Sequence, residues 1–310
     1  MPLPPDLQEL ATRVSNWGRW GGDDERGTLN LITPDALRRG AACVRRGVCF
    51  SLALPVDEDG PQTGGVPGRE NARRTMFQLN LDMTGDGGVA FNDDKVEMGL
   101  QAATHWDALA HVSHAGTLFN GFPAASVTEA GAARVGIDKA GPIVTRGVLL
   151  DVARRKGVDR LEPGYGITAD DLEDTLRSTD VTLLAGDAVL VRTGQMAVLK
   201  AGAKDDYRRE TSGLAWPAVE WFHDYDVAAV ATDTFAFEVF EPWPPKDPGR
   251  FCAVHVLDLC YLGLLQGQLW DLDELAADCD GDRVYEFLLS ATPLPLTGGC
   301  GSPVAPVAVK

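Results

Sequence analysis

The chain has 310 residues, 45% hydrophobic and 24% charged, and its 45 acidic against 28 basic side chains leave a net charge of −17. A surface of that sign repels a phosphate backbone, so nucleic acid is not an expected partner. No apolar run approaches the roughly 20 residues that span a bilayer, and no membrane association is expected.

At the amino end, MPLPPDLQELATRVSNW lacks the basic stretch followed by an apolar one that marks a secretory leader, so a cytoplasmic location is the expectation. Cys43, Cys49, Cys252, Cys260, Cys279 and Cys300 form no CxxC pair and are expected to be reduced and mostly buried. Residues 1–47 read as an N-terminal arm: an ordered loop with Trp17 and Trp20, then a short helix over 34–39. Thr33 suits the N-cap of that helix, Pro34 its first position, and Gly40 its end. Alternating apolar residues predict half-buried strands over 48–55 and 76–83. Between them, 57–74 has the Gly, Pro and charge content of an exposed loop, a lid or subunit contact rather than a tight turn.

Farther on, RGVLLDVAR (146–154) reads as a buried strand and ITADDLEDTLR (167–177) as a helix capped by Thr168 with Asp171 three residues later. GDAVLVRTG (186–194) is another apolar strand, AWPAVEWFHDYD (215–226) a helix and VAAVATDT (227–234) a buried strand. Strands and helices are interleaved without a repeat or a low-complexity linker, which predicts a single α/β domain over 1–310 with extensive sheet.

Several chemistries leave no trace. There is no GxxxxGK[ST], no GxSxG and no GxGxxG between strand and helix, and GGCGSP near the end reads as a turn. Without an evident nucleophile, hydrolysis would need water activated by a metal or a base. QAATHWDALAH, residues 101–111, supplies groups for that: it sets two of only five histidines around an aspartate. In an extended segment Gln101, Ala103, His105 and Asp107 share a face, with His105 and Asp107 about 6–7 Å apart at Cα. A strand ending near Asp107, followed by a helical turn, would carry His111 back over them. The same pattern also suits a hydrogen-bonded pair in a polar core.

The remaining candidates are weaker. His114 reads as an exposed helix histidine and His223 as a structural one at a helix C-terminus. Asp233 and Glu238 follow a buried strand and would either border a pocket or be solvated loop acids. Trp17, Trp20, Trp106, Phe119 and Trp216 are candidates for the walls of a pocket that takes a flat substrate.

THWDALAH resembles the HxGTHxDxPxH signature of the cyclase-like metal-dependent hydrolases, the family of kynurenine formamidase and isatin hydrolase type. The resemblance extends to WGRWGGDDERGTLNLITP, TRGVLLDVARRKGVDRLEPGYGITADDLE, GDAVLVRTG, the surroundings of His255 and YEFLLSATPLPLTGGCGSPVAPVAV. It implies a swivelling β/β/α fold with a mixed sheet and barrel-like core, assembled as a homodimer or homotetramer. It also implies a divalent ion, manganese or zinc, that activates water against a small cyclic amide, imide or lactone, or an N-acyl amide. By the same resemblance His105, Asp107 and His255 are metal ligands and His111 is the catalytic acid/base. The chain departs from the signature at Gln101, Ala103 and Leu109, and Gln268 stands where a late glutamate is expected. Amide oxygens are poor zinc ligands, so a single manganese or zinc ion, or no metal at all, is expected in place of two ions, with Gln101 and Gln268 as weaker ligands. A member that only binds small molecules, or a biosynthetic cyclase or dehydratase, are the competing readings.

Overall fold

Three nearly uninterrupted apolar runs can be buried on both faces, and they form the parallel centre of a sheet. The computed structural model describes residues 3–209, 211–240 and 247–310. Its main sheet has nine strands, in the spatial order Cys49–Ser51, Val307–Val309, Glu286–Ser290, Val144–Asp151, Ala188–Arg192, Ala229–Thr232, Leu265–Gln268, His105–Asp107, Gly301–Pro303. The four strands from Val144–Asp151 to Leu265–Gln268 run parallel, and the flanking ones pair antiparallel. This is the α/β architecture with a mixed, curled sheet that the sequence predicts.

Alternation along the central strands separates two cores. Leu149, Leu190 and Ala231 face Trp106, Phe119 and Leu275 on one side. Val148, Val189 and Val230 face helices Pro5–Val14, Ala169–Arg177 and Ala218–Asp224 on the other. Thr168 caps its helix reciprocally with Asp171, an arrangement worth about 1 kcal/mol.

Local signals set most element types but missed some boundaries. Helix Pro34–Ala42 begins with the predicted cap from Thr33 and continues through Gly40. A Cβ at Gly40 would lie 2.7 Å from the backbone of Thr145 and Arg146, so this glycine serves close helix–sheet packing instead of stopping the helix. Helix Pro5–Val14, inside the arm read as a loop, buries Leu7, Leu10, Ala11 and Val14. Of the strand predicted over 48–55 only Cys49–Ser51 forms. The predicted turn GGCGSP contributes the strand Gly301–Pro303. Strands Arg73–Asp82 and Ala90–Glu97 form a separate hairpin whose residues are mostly exposed, where half-burial was expected. In the 57–74 loop Gln62 and Ala72 are buried, Gln62 donating to the Ala102 carbonyl at 3.0 Å.

All six cysteines are unbonded, as expected, although Cys49 is exposed. Among the described residues no helix is long and apolar enough to cross a membrane.

Candidate active site

His105–Asp107 is a three-residue strand between Leu265–Gln268 and Gly301–Pro303. Its register sets Gln268 opposite His105 and Gln266 opposite Asp107. Directly paired residues share a face, so these four polar side chains gather on one side and Trp106 turns to the other. Trp106 packs edge-on against Trp270, at 4.9 Å between ring centroids, and donates its indole N–H to the Ala291 carbonyl at 2.7 Å. The fit leaves no room at Gly267, where a Cβ would lie 2.9 Å from the Trp106 ring and 2.5 Å from Ala231 Cβ. The indole thus anchors the strand on one side while the other carries polar groups.

Those groups are only partly satisfied. His105 is fully buried and donates from Nδ1 to the Ala103 carbonyl at 2.7 Å, which leaves Nε2 with its lone pair. That Nε2 and Asp107 Oδ1 have no hydrogen-bond partner among the described residues and lie 3.7 Å apart. The other carboxylate oxygen, Oδ2, accepts from the Gln268 amide at 2.7 Å. Burial pushes the His105 pKa down to about 4, so its ring is neutral at pH 7. Burial also pushes the Asp107 carboxyl up, but His111, His105, His255 and Arg69 outweigh it and hold it below its ordinary value.

Two more histidines converge on the same carboxylate. After Asp107 the chain turns, with the His111 amide bonded to the Ala108 carbonyl at 2.9 Å, and His111 Nε2 comes to 3.7 Å from Asp107 Oδ1. Asp107 draws the His111 pKa upward, but burial with the charges of His255 and Arg69 brings it below its ordinary value. His255 lies at the end of the short helix Ala253–His255, its Nε2 4.0 Å from Asp107 Oδ2 and 3.3 Å from the Gln268 amide nitrogen. Its orientation comes from Glu238, which accepts from the ring Nδ1–H and from the backbone N–H groups of Val254 and His255 at 3.1 Å each. Burial lowers the His255 pKa, yet Glu238 more than offsets it and leaves the value raised.

Two ligands each about 2.1 Å from one ion can stand at most about 4.2 Å apart. The separations of 3.7 Å from His105 and 4.0 Å from His255 to the Asp107 carboxylate meet that limit. Each of these pairs could share a divalent ion, although they use different oxygens of Asp107, and a carboxylate orienting a ligating histidine is the usual supporting arrangement. Among the described residues the one grouping of three whose ligand atoms all lie within 4.8 Å of one another is Glu238, Cys252 and His255. It is the poorer cage, because Glu238 is already committed to hydrogen bonds and burial pushes the Cys252 thiol up to about 12.

The cluster opens into a cavity of about 450 Å³ reached by His111, His255, Glu238 and Gln268. Its apolar walls include Val66, Val112, Leu214, Trp216, Phe235 and Phe240. Of the five aromatic candidates only Trp216 lines it. Trp106 and Phe119 are core residues, because one alternates away from the site and the other packs in the core near Gly263. Trp17 stacks on Tyr261 and Trp20 lies beneath the Arg19 guanidinium. Gln101 precedes the strand, and its amide donates to the Cys300 carbonyl at 3.3 Å, lying over Gly301, which pairs with Asp107.

The other acids and histidines divide between expected and unexpected places. Asp233 is a fully buried brace that accepts from Thr193 and Gly194, with burial raising its pKa to about 6. Glu238 borders the cavity as the residue that orients His255. His114 sits in a tight turn and pairs with the Tyr261 hydroxyl at 3.0 Å, while His223 lies in the last turn of its helix as expected. Arg69, unforeseen, projects from the 57–74 loop into the cavity wall.

Comparison with known proteins agrees with this architecture. The cyclase family model matches residues 42–239. A crystal structure described as a novel cyclase is 36% identical over 100% of both chains, with a TM-score of 0.87. The fold is shared with isatin hydrolase A from Ralstonia solanacearum, at 21% identity over 89% of this chain and 97% of that one, TM-score 0.60. A predicted metal-dependent hydrolase from Bacillus stearothermophilus shares it at 17% identity over 85% and 98% of the two chains, TM-score 0.52. No curated protein sequence matches. With the model covering well over half of its length and one full-length relative at 36% identity, the chain belongs to the cyclase family.

Proposed function

We propose that the protein is a metal-dependent hydrolase that opens a small cyclic amide, imide or lactone, or cleaves an N-acyl amide. The observation that carries this reading is the pair of buried, unpartnered atoms His105 Nε2 and Asp107 Oδ1, 3.7 Å apart, with His111 Nε2 3.7 Å from the same oxygen. Each buried polar atom without a partner costs about 1–3 kcal/mol, a cost a bound ligand removes. Hydrolases described as metal-dependent or acting on isatin share the fold, which supports the chemistry without naming a substrate.

His105, Asp107 and His255 would hold one divalent ion, manganese or zinc, with the Gln268 amide holding Asp107 in place. Such an ion supplies Lewis acidity and lowers the pKa of water from about 15.7 toward 7. The protein's own contribution is proton transfer and positioning. His111 is the most accessible of the three histidines, its side chain 24% exposed against 10% for His255 and 0% for His105, and it faces the cavity. With its pKa lowered it is neutral and can take a proton from the attacking water as the new C–O bond forms. It returns that proton to the departing nitrogen or oxygen as the old bond breaks, so the product gains one water. Glu238 keeps His255 turned toward Asp107 throughout.

A second copy of this chain is the proposed partner. The hairpin exposes Phe77 by 56%, Leu79 by 69%, Met83 by 63%, Val89 by 58% and Val96 by 55%. A two-fold axis would bring this patch against itself, and a two-stranded hairpin has little stability until it is covered.

The test is elemental analysis of wild type beside His105→Ala and Asp107→Ala, all shown to be folded. About one manganese or zinc per chain in wild type, lost from both variants, is expected. Metal-free wild type after dialysis against both ions would overturn the reading and favour a small-molecule binder. A product heavier by one water would separate hydrolysis from ring closure or dehydration.

A further inference from the structure

Arg69 stands apart from the other charges near the cavity. Arg250, at the same cavity, is matched by Asp6 at 2.7 Å and Asp247 at 3.2 Å. The guanidinium of Arg69 has no hydrogen bond and no ion pair among the described residues, although the residue is half-buried in the wall beside Val66 and His111. Burial lowers its pKa, with Asp107 the carboxylate whose field opposes that shift. Asp107 does not neutralise it by contact: no ion pair joins them, one Asp107 oxygen takes the Gln268 amide, and the other faces His105 and His111.

Arg69 keeps its proton, and its guanidinium is not among the fully buried unpartnered groups, so it meets the solvent of the cavity, where an anion can take the place of water. Its planar fork pairs with a carboxylate through two parallel N–H···O bonds. Here the fork faces an otherwise largely apolar cavity of about 450 Å³, room for a ring bearing a carboxylate and one further polar group.

We propose that Arg69 is the carboxylate-binding residue of the cavity and that the substrate is an anionic amide or lactone, a ring or short apolar body carrying a carboxylate. The scissile bond at His111 rests on the hydrolase reading above; the carboxylate site does not, and is tested by binding alone. The protein's net charge of −17 makes the site more telling, because the surrounding field disfavours anions and only a local cation would select one.

The experiment is calorimetric titration of wild type, Arg69→Met, Arg69→Lys and Asp107→Ala with benzoate and with uncharged benzamide, after circular dichroism has confirmed each fold. Benzoate should bind wild type more tightly than benzamide does and weaken at least about tenfold in Arg69→Met, with partial recovery in Arg69→Lys and stronger binding at low salt. Benzamide should not distinguish wild type from Arg69→Met. Asp107→Ala, stripped of any ion, should still bind benzoate. Loss of benzoate from Asp107→Ala with retention in Arg69→Met would seat the carboxylate on a metal and overturn the proposal. So would benzoate binding no better than benzamide, or failing to bind at millimolar concentration. Benzoate held by Arg69 in a protein that hydrolyses no amide or lactone would leave this site standing and sink the hydrolase reading.

Discussion

Asp107 is 1% exposed with a carboxylate oxygen that no group among the described residues satisfies, while Leu79, on the hairpin, is 69% exposed. Each residue is the type expected in the other's place. Polar groups are buried at a cost only where something is to meet them, and apolar strands are left in water only where something is to cover them. Asp107, surrounded by three histidines and a cavity, asks for an ion and a small molecule. The hairpin, broad and without a cavity, asks for a protein surface. In the proposed reading both departures are met by a partner, an ion and small molecule at one and a second copy at the other.

The largest effect should come from emptying the polar region of its proton carrier. His111→Ala is expected to lower turnover by about 10²–10⁴-fold while its metal content stays at the wild-type level. Full activity in that variant would return the cluster to a satisfied core network. The hairpin is tested by making it polar: Phe77→Ser with Leu79→Ser should reduce the mass found by light scattering from a multiple of 33.2 kDa to 33.2 kDa. A wild type already at 33.2 kDa would mean that a second copy is the wrong occupant.

The last test concerns the cost of burial itself. Asp258 is fully buried, accepts from the Gln266 amide at 2.8 Å, and burial raises its pKa to about 8. Its folded pKa exceeds its unfolded value, so its contribution to stability is full below about pH 4 and is lost as pH rises toward 8. The stability of wild type relative to Asp258→Asn should fall by roughly 1.4 kcal/mol per pH unit across that window and level off above it. A difference independent of pH would show that Asp258 is not titrating in the fold.

Much of this was readable in advance where the signal is local. The capping box of Thr168 and Asp171 and the two-residue spacing of His105 and Asp107 act within one turn or one strand. The alternation that gathers His105 and Asp107 also turns Trp106 away from them, so its place in the core was implicit in the same reading. The extended segment is only three residues long, so Gln101 lies before it and not on it. Arg69 was not readable as a site residue, and Glu238 was readable only as a possible pocket border, not as the partner of His255. Glu238 acquires its role from His255, 17 residues away, and Arg69 from a long loop folding back over the cavity.

The order of the strands carries a consequence for biosynthesis. His105–Asp107 pairs only with Leu265–Gln268 and Gly301–Pro303, both made much later. At 5–20 residues per second the ribosome takes on the order of ten seconds or more to reach the second of them. During that interval the histidine and aspartate lie on a nascent chain with no sheet to hold them. The proposed ion and substrate then have nowhere to bind until both later strands have been made.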